Sequence, residues 1–180
     1  MLYRVKQVVW AINSNFKKID YNYIDKYLDK DEVLLFDKLK HSEKYHCIRV
    51  CEDCLRINSA KKLKMDRVTL GKVALLHDIG KSDYSLDLIT KSLLVILHKI
   101  TKGKLRKLSN FKSIDVYYNH GVKGKNILLE EQSKDGMNNK YSKEFLNAIE
   151  NHHKYIKVNS LESLNNNILL RILIEADNMN

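Results

Sequence analysis

Seven histidines are spread along this chain, at His41, His46, His77, His98, His120, His152 and His153. Two adjacent polar pairs stand out. His77-Asp78 closes the apolar run Ala74-Leu75-Leu76, and His152-His153 follows Ala148-Ile149-Glu150-Asn151. Polar pairs at the inner ends of apolar helices are costly unless something satisfies them. A cation would do so, and imidazole with carboxylate suits Fe, Mn, Zn or Ni. Any one of these histidines, taken alone, reads as well as a satisfied core residue. The weight lies in the ordered set His46, His77-Asp78, His120, His152-His153 and Asp177. Each of its parts falls in a different helical segment, which is how helical folds assemble metal sites from facing side chains.

The elements that must position this set are all helical. Leu2 to about Asn15 carries Leu2, Val5, Val8, Val9 and Ile12 at helical spacing, and Ile19 to Leu28 repeats the pattern. Asp31 reads as an N-cap or first-turn residue for a helix with Val33, Leu34, Leu35 and Leu39. Ser42 opens a helix to about Ala60. Asp66 precedes one over Val68 to Ile79, with Gly80 as its C-cap. Leu86 to Phe111 is a strongly apolar helix broken at Gly103 and followed by a basic stretch. Asp115 to Glu131 is helical, Ser133 to Asn139 a loop, and Tyr141 to Tyr155 and about Leu161 onward complete the set. No segment alternates with period 2. The expected fold is all-α, a single-domain helical bundle over residues 1–180, with N-terminal helices over 1–40, a core over 41–180 and a basic amphipathic insert at about 86–112.

Composition agrees with a soluble globular chain: 180 residues, 44% hydrophobic, 30% charged and no proline. Net charge is +10, which favours anionic partners such as nucleotides, nucleic acid or an anionic membrane surface. Cys47, Cys51 and Cys54 fall at i, i+4 and i+7 and make one apolar stripe of a helix, not a zinc site. An odd number of thiols without a secretory signal points to a reducing, cytoplasmic setting. The Val8–Ile12 apolar stretch is too short to span a bilayer.

In order and local context, the ligand set resembles the HD superfamily of metal-dependent phosphohydrolases. His46-Cys47-Ile48-Arg49-Val50 resembles the first His element. Leu75-Leu76-His77-Asp78-Ile79-Gly80-Lys81 is similar to the HDIG variant with its following Lys. His120 through Gly124 to Ile127-Leu128 resembles the third His element, with Gly121 where Pro is usual. Ala148 to His153 resembles the double-His element of binuclear members, and Ile174-Glu175-Ala176-Asp177 the closing Asp element. No Gly-Tyr-Pro follows His152-His153, which points away from the HD-GYP phosphodiesterases of cyclic dinucleotides.

The resemblance implies one or two divalent transition metals. His46, His77, Asp78 and Asp177 would hold the first. His120, His152 and His153 would hold the second, with Asp78 as a candidate bridge. It implies an activated water that attacks phosphorus, with Asp78 and Lys81 as catalytic residues. Lys81 and Arg49 are candidate contacts for a substrate phosphate. The expected function is hydrolysis of a nucleotide or related phosphate ester or anhydride. Alternatives are hydrolysis of a cyclic-nucleotide or dinucleotide diester, and a non-enzymatic nucleotide-binding or membrane-associated module. Iron-dependent oxygenases share the fold and rank last. A small phosphorylated substrate is the expected partner. The insert is a candidate for contact with an anionic membrane surface, a second subunit or an active-site lid, and nucleic acid is not expected.

Overall fold

Short acidic and hydroxyl side chains set where the helices of this protein begin. The computed structural model describes residues 18–82, 84, 88–134, 140–153 and 167–180. Helix α1 (Tyr21–Ile24) is a single turn capped by Asp20. Helix α2 (Lys30–Asp37) starts at Asp29, whose carboxylate accepts from the backbone N–H groups of Asp31 and Glu32, while Glu32 accepts from the Asp29 N–H. This reciprocal arrangement is a capping box. Helix α3 (His41–Ala60) is followed by α4 (Arg67–Leu76), where Asp66 accepts from the Thr69 N–H. A short 3₁₀ turn (Ile79–Lys81) follows. Then come α5 (Leu88–Ile100), a second 3₁₀ turn (Lys104–Leu108) and the long α6 (Lys112–Lys134). Helices α7 (Lys143–Asn151) and α8 (Ile168–Asp177) are capped by Ser142 and Asn167.

The described residues hold no strand, and the all-α expectation is met. The predicted helix over Leu2 to Asn15 and the start of the one near Leu161 lie outside the described residues, as do 135–139 of the predicted loop and residues 154 and 155. Several boundaries differ. Ile19 to Leu28 yields one turn of helix, because Asp29 takes an extended backbone to cap α2 and ends the helical run. Ile24 and Leu28 are nonetheless buried, as their spacing implies. Helix α6 extends to Lys134, so Ser133 is its last turn and not loop. Gly80 is not a helix C-cap: α4 stops at Leu76, and Gly80 sits inside the 3₁₀ turn.

The main core gathers the inner faces of α2, α3, α4, α7 and α8. Phe36, Leu70, Leu75, Leu76, Ile149 and Leu173 are among its fully buried side chains. Cys47, Cys51 and Cys54 lie in it as buried free thiols, with the Tyr23 hydroxyl donating to Cys51 Sγ at 3.4 Å. They fill space, as the one-face spacing implies. A smaller, separate core of Leu94, Leu105 and Ile114 joins the insert to the first turns of α6. Gly103, at φ +83°, makes the left-handed turn between the two parts of the insert.

Two glycines bring α6 close to its neighbours. A Cβ at Gly80 would collide with the His120 carbonyl and lie 2.6 Å from the Gly124 nitrogen. A Cβ at Gly121 would meet the carbonyls of Glu150 and Ile149 at 2.6 and 2.9 Å. The obstacles are backbone, which cannot swing aside as a side-chain tip can. Gly80→Ala is therefore expected to lower stability by about 2 kcal/mol or more. Asp66→Ala, which removes only a cap, should cost about 1 kcal/mol. Denaturant midpoints of the two variants check this, and equal losses would contradict the close-approach account.

Candidate metal centre

Each ligand candidate sits where a helix ends or meets a neighbour. His46 projects from the second turn of α3. His77 is the C-cap residue of α4, and Asp78 is the next residue, before the 3₁₀ turn. His120 lies inside α6, His152 is the C-cap residue of α7 with His153 beside it, and Asp177 closes α8. The close approaches at Gly80 and Gly121 bring α6 against both the His77-Asp78 segment and α7. All seven candidates converge as a result.

Asp78 is at the centre. Its Oδ2 lies 3.5 Å from His77 Nε2 and 3.9 Å from His46 Nε2. Its Oδ1 lies 3.6 Å from both His120 Nε2 and His152 Nε2. One carboxylate thus presents one oxygen to each group of histidines. Asp177 completes the ring: its Oδ1 is 3.0 Å from His46 Nε2 and 3.9 Å from His77 Nε2, and its Oδ2 is 3.8 Å from His153 Nε2. Asp78, His120, His152 and His153 form one group that could hold an ion, and His46, His77 and Asp78 form another.

The backbone orients the rings. His77 Nδ1–H donates to the Ala74 carbonyl at 2.7 Å, His120 Nδ1–H to Val116 at 2.9 Å and His152 Nδ1–H to Ile149 at 2.7 Å. Each bond fixes the tautomer that leaves Nε2 as a lone pair. Those of His120 and His152 face one another across 3.3 Å. His77 Nε2 and Asp78 Oδ1 are buried without a hydrogen-bond partner. Converging lone pairs and a buried carboxylate oxygen in this state fit a cation, and the mixed nitrogen and oxygen donors fit a divalent transition metal.

Electrostatics agrees. Burial holds His77 down at about 4, helped by neighbouring His152. Burial likewise keeps His120 well below its ordinary value, with Lys81 adding to the effect. These rings are neutral and free to ligate at physiological pH. For Asp78 burial pushes upward, but the Lys81 ammonium and the surrounding imidazoles outweigh it and keep the carboxyl well below the usual range. Asp177 is held down in the same way by its hydrogen bond to His46 and by His153.

The centre is closed on one side and open on the other. The side chains of His77 and His152 are fully buried, whereas 22% of the His46 side chain and 46% of the His153 side chain are exposed. Among the described residues, His46, Asp177 and His153 form the exposed edge of the cluster.

Lys81 is buried, and its ammonium lies 2.5 Å from Asp78 Oδ2. Arg49, one turn beyond His46, is tied to the end of α8, where its Nε donates to Asn180 Oδ1 at 3.2 Å. Glu43 stands three residues before His46. Helical geometry puts residues three apart on the same face. Glu43 is 4% exposed, and its charge helps keep Lys81 protonated against burial.

A family model described as HD domain matches residues 44–180, more than half of the chain. No curated protein matches it, and neither does any solved structure. HD domains are in general metal-dependent hydrolases, and the His/Asp cluster fits a site for a divalent metal ion. The match runs from just ahead of His46 to the end of the chain and takes in every ligand candidate described above, so this chain belongs to the HD domain family.

Proposed function

We propose that this protein is a binuclear phosphohydrolase acting on a nucleotide or a related phosphate ester or anhydride. The observation that carries the reading is the division of Asp78, one oxygen towards His46 and His77 and the other towards His120 and His152. A carboxylate so placed would help hold two cations, with Asp177 completing the first set and His153 the second.

Bound there, divalent cations would supply Lewis acidity towards phosphate oxygens and lower the pKa of a water nucleophile. The chain's own residues do the rest. The three backbone-anchored imidazoles keep their lone pairs turned into the two groups around Asp78 and need no reorganisation when substrate arrives. His46 and His153 line the open side, where a phosphate group enters. Lys81 stands beside Asp78 as a fixed positive charge and favours an anionic transition state at that carboxylate. Arg49, held by Asn180 one turn from His46, is the candidate to meet the distal part of a phosphorylated substrate. Substrates are expected to be small, since these groups read phosphate and no base-reading motif is visible in the chain.

Elemental analysis of protein purified without chelator should find about two transition-metal ions per chain. Asp78→Ala should lower this to below about one, because both sets lose a ligand, while His152→Ala should leave about one. Chains that stay metal-free after reconstitution with Fe²⁺, Mn²⁺ or Zn²⁺ would refute the binuclear site.

Phosphate release from a panel of nucleoside mono-, di- and triphosphates and dinucleotides tests the reaction. Wild-type protein should release phosphate or a nucleotide from at least one class. Asp78→Asn should reduce this by at least about a hundredfold. Lys81→Met should lower kcat with less effect on KM, as loss of transition-state stabilisation requires. Metal-replete protein inactive on the whole panel would argue for a binding module.

A further inference from the structure

The described residues of the insert contribute nothing to the metal centre, yet they form an unusual surface. Helix α5 turns Leu94 inward, with Leu97 partly buried, onto the small core with Leu105 and Ile114. Its other face carries Leu93, Ile96 and Ile100, spaced by three and four residues, and these are 53%, 50% and 71% exposed. Leu108, at the end of the second 3₁₀ turn, and Phe111, just beyond it, are 50% and 63% exposed. Large apolar side chains scattered singly over a surface are ordinary. Five within one short module are not.

Charge is equally one-sided. Residues 88–114 include seven Lys or Arg and no Asp or Glu. Lys99, Lys102, Lys104, Arg106 and Lys107 are all exposed. An apolar stripe bordered only by cations has the character of a helix lying in a membrane interface, its apolar side chains among acyl chains and its ammonium groups at anionic headgroups. The module is too short to do more: no described helix is long and apolar enough to cross a membrane.

We infer that this module, α5 with the second 3₁₀ turn and Phe111, docks the protein on the surface of an anionic lipid bilayer. Two rival occupants fit less well. A nucleic acid would use the cations but leave the exposed Ile and Phe side chains in water. A second copy of this chain would set one cationic rim against another, in a protein already at net charge +10. Only lipid of negative charge complements both features. This inference stands apart from the hydrolase reading, because it uses no residue of the metal centre.

Co-sedimentation with vesicles tests it. The full chain should pellet with phosphatidylcholine vesicles containing phosphatidylglycerol, stay in the supernatant with phosphatidylcholine alone, and be released as salt rises. Lys104→Gln with Lys107→Gln should weaken binding about fivefold for each lysine. Ile96→Ser with Ile100→Ser and Phe111→Ser should abolish pelleting at physiological salt. Both variants should keep the wild-type metal content and helical circular dichroism, which separates loss of docking from loss of the fold or of the centre. Equal recovery in the supernatant with and without anionic lipid would overturn the inference. So would pelleting unaffected by the serine substitutions, or a dimer in light scattering that those substitutions dissolve.

Discussion

A fully buried carboxylate is the constraint around which this protein is organised. Asp78 has left water entirely, and the energetic penalty for an isolated charge in that position would be large. The fold meets it with Lys81 on one oxygen, imidazoles around both and the helix ends that carry them. The same environment keeps the acid ionised and the rings neutral, which is the protonation pattern that ligation requires. Desolvation, usually a cost to be minimised, here keeps His77 and His120 neutral, while Lys81 and the surrounding imidazoles hold Asp78 ionised against it.

Helix α6 turns that local requirement into an architectural one. His120 must reach a carboxylate that follows α4 and an imidazole that ends α7. Ordinary side chains at the contact points would hold the backbones too far apart. Gly80 and Gly121 remove that obstacle on the two sides. Gly121 also accounts for the missing proline after the third histidine. What that position demands is the absence of a Cβ against the Glu150 carbonyl.

The candidate set was legible in the sequence because its residue types are rare on apolar helix faces and because their order is distinctive. His46, His77, Asp78, His120, His152, His153 and Asp177 all meet in space. The helical period likewise identified the buried stripe of Cys47, Cys51 and Cys54 on α3. What stayed hidden depends on contacts between segments. Gly80 looked like a helix stop, since glycine after an apolar helix usually is one, whereas its reason lies in a carbonyl some forty residues further on. The partner of Arg49 is Asn180, at the far end of the chain, and no local pattern announces it. The segment from Ile19 to Leu28 has the right apolar spacing but loses to the capping box at Asp29.

The small core under the insert has a consequence of its own. Leu94, Leu105 and Ile114 pack with one another and with Leu97, Tyr117 and Tyr118, and they form a cluster separate from the main core. The His98 ring reaches across to the Tyr118 hydroxyl at 2.7 Å, so the attachment is also polar. The outer face of the insert can therefore vary in composition without disturbing the ligand geometry, as long as this small patch of packing is kept. Relatives with the same centre would be free to carry a different outer face, and so to be addressed to a different place, at little cost to the reaction. In evolutionary terms the address and the chemistry are separable traits, sharing one helix and little else.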